Sequence, residues 1–376
     1  MKDILIIGMV DSIHTFHWIE RIADGDLRID LLASRKYRRI HPDLRELLDR
    51  QENVKLLRKF PNTRLSPYQD YLSSLILRIF RKDRSQVLKK VIKSRKYDYI
   101  HALEIQHAGY VLLGALEEIQ SDSQLIVTNW GSDIYYFSQF PSHEKKIRRL
   151  LQHVDKYSAE CSRDYDLATE LGFRGNFMEV IPNSYSFTPP KIDSMRSSSR
   201  SQVTGKCYGG QFGLGRIVIE CAEEVLRINE EIEVFLYSVT QDLESTVKEL
   251  VSKFPGRVRY AGIKDSLSHE SLLDEFANSR IYIGASRSDG ISTSFLEAMS
   301  QGAYPIQTNT SCASEWILKG CLGSVVGTSK AQILEAVLIS IEDDALVDQA
   351  QVQNPKVLEI NTDPQHLNAI AKSFYA

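Results

Sequence analysis

The chain has 376 residues, 43% of them hydrophobic and 25% charged, which is typical of a globular protein with two domains. The short apolar run before Gly8 is unlike a secretory signal, and no apolar run reaches membrane-spanning length, so we expect a cytoplasmic protein. Five scattered cysteines lack the spacing of metal ligands, and no metal site is predicted from them.

The net charge of -3 conceals a difference between the two ends of the chain. The first 100 residues hold 22 Lys and Arg side chains against 13 Asp and Glu side chains, so the remainder is acidic. A basic N-terminal region suits an anionic partner, which is a membrane surface, a diphosphate lipid or a nucleic acid.

Apolar runs alternate with helical periodicity through the first half of the chain, which predicts a parallel sheet with helical crossovers. The predicted strands cover 3–8, 27–33, 97–102, 124–129, 156–161 and 178–181. The predicted helices cover 14–23, 66–95, 107–119, 142–152 and 164–171, where 66–95 is one helix or two.

The segment 66–95 is both amphipathic and basic. Its apolar residues are interleaved with Arg78, Arg81, Lys82, Arg84, Lys89 and Lys90. Such a helix either lies on an anionic membrane or packs on its own domain with a solvated basic face. The first alternative predicts peripheral contact with the inner face of the plasma membrane.

Residues 186–202 are rich in serine and poor in apolar residues, and they are predicted to be an interdomain linker. Strands follow over 203–208, 233–237, 258–261, 281–284 and 304–307. Helices follow over 215–226, 242–254, 268–278, 292–301, 330–342 and 364–375.

We therefore predict an α/β protein with two Rossmann-like domains that face each other across a cleft. The predicted boundaries are 1–185 for an acceptor-side domain and 203–360 for a nucleotide-binding domain, with 361–376 returning to the first domain. Ligands are expected beyond the carboxyl ends of the strands.

Two acids eight residues apart follow the predicted strand 281–284, namely Asp289 in a turn and Glu297 at a helix start. Unsatisfied amides at such a start suit phosphate oxygens, and a carboxylate can accept hydrogen bonds from a ribose diol. Two alternatives are structural: Ser294 and Glu297 form a capping box, and Asp289 is a turn residue.

A glycine-rich loop precedes the helix 215–226. Glycines 209, 210, 213 and 215 allow close backbone approach to a phosphate, and Lys206 and Arg216 bracket them. Either the two cations neutralise a diphosphate, or the loop is flexible and its cations are solvated.

Candidates in the N-terminal half lie where strands are predicted to end. Gly8 and His14 belong to the first turn and are predicted to help bind the donor; His14 hydrogen-bonds an acceptor or a phosphate, or it caps or packs the helix. His101 and His107 flank the loop after strand 97–102, and His107 is favoured because it begins a helix. Asp133 either caps a helix or orients an acceptor hydroxyl.

The segment from Asp289 to Ile306 resembles the acid-x7-acid motif of retaining glycosyltransferase family 4, which continues A-M-A-x-G-x-P-V. Residues 12–18 resemble the S-x-H-T-x-R-W opening of a bacterial subgroup, with His17 in place of Arg. Residues 128–133 resemble its T-x-H/W-G-S-D turn. The sequence departs from the family where the first acid is Asp and where the glycine usual before Glu315 is missing.

The resemblance implies a GT-B fold and a role for each matching residue. Asp289 would contact donor-sugar hydroxyls, Glu297 would hold the ribose, and His107 would reach the donor sugar. The backbone of Gly290, Ile291 and Ser292 would lie against the sugar and diphosphate. Lys206 and Arg216 would bind the diphosphate.

The implied function is transfer of a sugar from a UDP- or GDP-sugar to a growing glycan or lipid-linked acceptor. The resemblance implies retention of anomeric configuration and a role in bacterial surface polysaccharide synthesis. With no D-x-D sequence at a strand end, neither a metal nor a cofactor is expected, and no nucleic acid partner is predicted. The alternatives are an epimerase or phosphorylase on the same scaffold, or a nucleotide-sugar-binding protein that has lost catalysis.

Overall fold

The computed structural model describes residues 1–23, 26–57, 84–191, 195–265 and 267–376. These residues form two compact units. Unit 1 consists of Met1–Ser184 together with Gln365–Ala376, and unit 2 consists of Tyr185–Pro364. Each unit contains one parallel sheet flanked by helices, so the α/β class is confirmed for both halves of the chain.

Unit 1 is built on a seven-stranded sheet in the order β3-β2-β1-β4-β5-β6-β7, with every pair parallel. The strands are β1 (Lys2–Gly8), β2 (Leu27–Ala33), β3 (Val54–Leu56), β4 (Tyr99–Leu103), β5 (Gln124–Thr128), β6 (Lys156–Ser158) and β7 (Asn176–Phe177). The helices are α1 (Ile13–Ile22), α2 (Pro42–Arg50), α3 (Arg84–Ser94), α4 (Tyr110–Leu116), α5 (Ser132–Tyr135), α6 (Pro141–Leu151) and α7 (Arg163–Glu170).

Both faces of this sheet are covered, as a parallel sheet requires. In β1 the four residues Ile4–Ile7 are all fully buried and point alternately to the two faces. Leu5 and Ile7 join one apolar cluster, whereas Ile4 and Ile6 join another on the opposite face. The continuous apolar run read from the sequence is therefore a central strand.

Several elements of unit 1 differ from the prediction. β2 leads into α2 and β3, which were not predicted, and β7 lies just before the predicted strand 178–181. A π-helical turn, Ile105–Gly109, precedes α4 where one regular helix was expected. Segments as short as Val54–Leu56 are too short to show a periodicity, so only their pairing with a neighbouring strand reveals them.

Most of the predicted basic helix 66–95 lies outside the described residues, which resume at Arg84. Its described part is α3, which packs on unit 1 through Leu88 and Val91. Lys89 is also buried, and its amine pairs with the carboxylate of Glu118. Among the helices that the structure describes, none is long and apolar enough to cross a membrane.

Unit 2 repeats the pattern with six parallel strands in the order β10-β9-β8-β11-β12-β13. They are β8 (Gln202–Lys206), β9 (Glu233–Val239), β10 (Val258–Gly262), β11 (Ser279–Gly284), β12 (Tyr304–Thr308) and β13 (Ser324–Val326). Its helices are α8 (Gly215–Ile228), α9 (Glu244–Lys253), α10 (His269–Ala277), α11 (Thr293–Ser300), α12 (Ala313–Leu318), α13 (Lys330–Glu342) and α14 (Asp344–Thr362).

The described residues of the segment predicted as a linker pack onto unit 2. Phe187 packs against an apolar cluster of this unit, and Ser197 is fully buried. The backbone amide of Ser198 donates to a carboxylate oxygen of Asp348 on α14 at 2.8 Å, and its hydroxyl donates to the other oxygen at 2.9 Å. Serines in this segment make specific hydrogen bonds, although their abundance in the sequence had suggested an exposed linker.

The C-terminal helix α15 (Pro364–Ser373) carries the chain into unit 1, to which residues from Gln365 onwards belong. Phe374 and Tyr375 are buried beside Trp18 of α1. The hydroxyl of Tyr375 accepts a hydrogen bond from the indole of Trp18 at 2.9 Å. The last residues of the chain therefore complete the core of the first unit.

Candidate functional site

Both sheets reverse their strand order at a switch point, which is where open α/β sheets bind ligands. In unit 1 the switch lies between β1 and β4, and in unit 2 it lies between β8 and β11. The carboxyl ends of these strands carry Gly8, Glu104, Lys206 and the segment that contains Asp289. The predicted site residues thus gather at one edge of each sheet.

In unit 2 the segment after β11 is pinned to the loop after β12. The amide of Asp289 donates to the carbonyl of Thr310 at 3.3 Å, and the carbonyl of Gly290 accepts from the amide of Cys312 at 2.8 Å. Asp289 is partly buried, whereas Ile291 and Ser292 are buried. This loop is therefore held by backbone contacts on one side.

α11 begins directly after this loop. Ser292 is its N-cap residue, and its hydroxyl makes no capping hydrogen bond. The first amides of α11 consequently have no partner from that side chain, which is the arrangement that suits an anion.

The capping-box alternative for Glu297 does not describe the structure. The helix starts at Thr293, so Glu297 lies beyond the third helical position. Its carboxylate instead accepts a hydrogen bond from the exposed imidazole of His269 at 2.7 Å. That contact raises the pKa of His269, mainly through the hydrogen bond, against an opposing effect of partial burial. Glu297 is thus a buried carboxylate with a polar partner at the carboxyl edge of the sheet.

The glycine-rich loop after β8 lies against the acid segment. Gly213 forms an antiparallel bridge with Ser286, and the amide of Arg287 donates to the carbonyl of Phe212 at 2.7 Å. The amide of Leu214 also donates to the carbonyl of Ala285 at 3.3 Å. Two segments that are about 70 residues apart in the chain therefore form one surface of unit 2.

The two predicted cations flank this surface. Lys206 is the last residue of β8, and its ammonium lies 5.3 Å from the centre of the Tyr208 ring. Arg216 is the second residue of α8 and is exposed. Burial raises the pKa of the Tyr208 hydroxyl, and the charge of the nearby Asp289 raises it further. The structure brings Lys206, Tyr208 and Asp289 to one locality.

We expect Gly213→Ala to weaken UDP binding at least about tenfold while unit 1 stays folded. A Cβ at this position would overlap the backbone carbonyl of Tyr208, so the loop would move away from Ser286. Gly256→Ala is the control, because its Cβ would meet nothing within 4 Å and its cost comes from a φ of 79° at a turn away from the glycine loop. Calorimetric titration with UDP checks the pair, and equal affinities would contradict the role of the bridge.

In unit 1 the first turn and the turn after β5 are in contact. The imidazole of His14 lies 4.8 Å from the ring of Trp130, and its Nδ1 is hydrogen-bonded to the hydroxyl of Ser184. Ser12 caps α1 by accepting from the amide of His14 at 3.2 Å. Gly8 is buried, with the methyl and hydroxyl of Thr15 each 3.1 Å from where a Cβ would lie.

The two histidine candidates have different environments. His101 is fully buried, with Nδ1 2.6 Å from the hydroxyl of Tyr375 and Nε2 2.6 Å from that of Thr128. Burial lowers its pKa to about 3, so it is a neutral core residue. His107 is exposed, and partial burial followed by the charge of Arg35 lowers its pKa. Of the two, only His107 is available to a ligand.

Asp133 makes the contacts of a capping residue. One carboxylate oxygen accepts from the amides of Ile105 and Trp130, both at 3.1 Å. Its neighbour Glu104 has a φ of 75° and accepts from three amides at the start of the π-helical turn, including that of Ala108 at 2.8 Å. Burial raises the pKa of both carboxyls, and the charge of Asp133 raises that of Glu104 further.

Glu104 and His269 were not singled out from the sequence. Glu104 has no local signal, because a non-glycine residue with positive φ cannot be read from its neighbours. His269 begins a helix that was predicted, but its contact with Glu297 joins two elements that only the folded sheet brings together.

A cleft of about 770 Å³ lies at the opposite edge of the unit 1 sheet, lined in part by Lys2 and Arg95. Arg95 is already paired there with Asp3 and Asp30, each at 2.8 Å. This cleft is therefore separate from the strand ends that carry the candidate residues.

Comparison with known proteins identifies a family model and solved structures that are similar to this chain. Residues 3–159 match the family model described as "Glycosyl transferase 4-like". A search of curated protein sequences found no match. Solved structures with the same fold include HepE from Anabaena in complex with UDP and glucose, at 14% identity and TM-score 0.69 over 100% of both chains.

Two further structures extend the fold comparison. Sucrose-phosphate synthase from Thermosynechococcus elongatus is 13% identical with TM-score 0.73, over 100% of this chain and 98% of that one. A glycosyltransferase from Rickettsia africae is 13% identical with TM-score 0.65, over 100% and 97%. The chain therefore has the GT-B fold of these glycosyltransferases, and residues 3–159 of its N-terminal unit are similar to the glycosyl transferase 4-like family.

Proposed function

We propose that this enzyme transfers a sugar from a UDP- or GDP-sugar to a growing glycan or lipid-linked acceptor, with retention and without a metal ion. The observation that carries the proposal is the bridge between Gly213 and Ser286, which joins the glycine loop to the acid segment at the switch point of unit 2. A solved complex of HepE with UDP-glucose, which shares the fold, supports UDP as the nucleotide.

In this proposal each part of the donor has a partner in unit 2. Glu297 holds the ribose hydroxyls with its buried carboxylate, and Asp289 contacts the hydroxyls of the sugar. The amides of residues 290–292 and of the start of α11 face the diphosphate. Lys206 and Arg216 neutralise its charge, which is the role that a metal has in other transferases.

The reaction breaks the bond between the anomeric carbon and the diphosphate oxygen. The acceptor oxygen forms its bond to the same face of that carbon, and its proton passes to the departing phosphate oxygen. Cations beside the leaving diphosphate stabilise the negative charge that develops there. We place the activity on the cytoplasmic side of the plasma membrane, in bacterial surface polysaccharide synthesis, as the family resemblance implies.

We expect Glu297→Gln to weaken UDP binding about 10- to 100-fold, because the ribose loses hydrogen bonds to a charged, buried acceptor. Isothermal titration with UDP measures the effect. Glu270→Gln is the matched control, since it removes an exposed carboxylate next to His269 and should leave the affinity within about twofold.

Titration with 2′-deoxy-UDP separates the ribose contact from a general loss of structure. The native enzyme should bind the deoxy compound more weakly than UDP, whereas Glu297→Gln should bind both compounds alike. If Glu297→Gln keeps a strong preference for UDP over the deoxy compound, the carboxylate does not hold the ribose.

A further inference from the structure

The carboxyl edge of unit 1 carries a concentrated positive charge. The proposed donor site in unit 2 does not account for it. Residues 34–41, which we call the basic loop, contain Arg35, Lys36, Arg38 and Arg39 and no acidic residue. The loop follows β2 directly, beside β1 at the switch point of the sheet. A run of like charges at this position requires an explanation, because like charges repel one another.

The basic loop is fixed to the first turn of unit 1 at both of its ends. The amide of Ser34 donates to the carbonyl of Gly8 at 2.8 Å, and the amide of His41 donates to the carbonyl of Val10 at 2.9 Å. Between these two ends, the guanidinium of Arg35 donates two hydrogen bonds to the carboxylate of Asp11, from Nη2 at 3.0 Å and from Nε at 3.3 Å. The charged loop is thus held beside the start of α1.

Further polar groups lie near the first turn of unit 1. His107 lies close enough to Arg35 and Asp11 for their charges to affect its imidazole. The hydroxyls of Ser34 and Thr15 are at least 97% buried and have no hydrogen-bond partner among the described residues. That of Thr15 lies beside Gly8, at the start of α1. Buried hydroxyls without a partner are uncommon in folded proteins, and they favour a ligand that supplies one.

We propose that the basic loop and the first turn, beside His107, bind a phosphate or diphosphate group of the acceptor. Guanidinium groups match phosphate oxygens in pairs, and the positive end of the α1 dipole favours an anion even though Ser12 already caps the amide of His14. This inference rests on the proposed function, since it assigns the class of acceptor to that enzyme. Arg38 and Arg39 are exposed and supply charge that the ion pair of Arg35 with Asp11 does not cancel.

In the test, the full chain is first saturated with UDP so that the proposed donor site in unit 2 is occupied. Farnesyl diphosphate and inorganic pyrophosphate are then titrated into it separately. Arg38→Ala/Arg39→Ala should weaken binding of the diphosphate about 10- to 100-fold. Lys55→Ala/Lys96→Ala is the matched control, because it removes two exposed cations of unit 1 away from the basic loop. It should change the affinity no more than about twofold.

The two probes separate the sources of the anion. Equal binding of both probes indicates recognition of the diphosphate alone, and stronger binding of the farnesyl compound indicates a lipid-linked acceptor; either supports the proposal when the arginine variant loses it. Equal losses in the two double variants would overturn it. Binding to phosphatidylcholine vesicles that contain phosphatidylglycerol is measured as well. If the arginine variant loses only its binding to these vesicles and not to the two diphosphates, the loop adsorbs to a membrane and the proposal is overturned. UDP affinity measured on the same samples reports separately on the donor site.

Discussion

Replacing both Lys206 and Arg216 by alanine is expected to slow sugar transfer by roughly a thousandfold or more. The two side chains flank the glycine loop that bridges to Ser286, one at the end of β8 and one at the start of α8. The diphosphate gains negative charge as the bond to the sugar breaks. Loss of one well-placed partner for such charge costs about 10²- to 10³-fold in rate.

The measurement is the rate of product formation from a UDP-sugar with EDTA present. Arg227→Ala/Lys356→Ala is the matched control, because it removes one exposed Arg and one exposed Lys of unit 2, with Arg227 at the opposite end of α8 from Arg216. The control should retain activity within about twofold. If the double variant at 206 and 216 also retains it, neither side chain stabilises the leaving group. If EDTA stops the native enzyme and magnesium restores it, the reaction requires a metal.

Much of the architecture could be predicted because it follows from local pattern. Alternating strands and helices specify two parallel sheets, and the residues after strand ends must lie at the carboxyl edges. Asp289, Lys206 and Gly8 were located in this way, and the structure places each of them at a switch point. The comparisons support the resemblance on which their roles were assigned.

What could not be predicted depends on contacts between distant segments. The bridge from Gly213 to Ser286 and the hydrogen bond from His269 to Glu297 leave no trace in local composition. α14 was missed because its nineteen residues include Pro355 and many polar side chains, which indicate a break rather than a helix. Its buried face, which includes Val347 and Leu358, becomes clear only once the rest of unit 2 is present.

Deletion of residues 364–376 is expected to unfold unit 1, although it removes no candidate site residue. Leu367, Ile370, Phe374 and Tyr375 are all buried in the core of that unit. Loss of each large apolar side chain costs roughly 2–5 kcal/mol, so the sum is comparable to the whole free energy of unfolding of a domain, about 5–15 kcal/mol. The truncated chain should be found in the insoluble fraction after expression. Soluble truncated protein with an unchanged melting temperature would contradict this.

A graded test uses the buried hydroxyl alone. In Tyr375→Phe the indole N–H of Trp18 loses its acceptor and Nδ1 of His101 loses its partner, both inside the core. An unsatisfied buried group costs about 1–3 kcal/mol, so the variant should fold but unfold at lower urea concentration. Tyr260→Phe, at a partly buried tyrosine of unit 2, is the control and should change the midpoint little. Equal midpoints for the two variants would show that this hydrogen-bonded cluster contributes nothing, and that packing alone holds the C-terminal helix to unit 1.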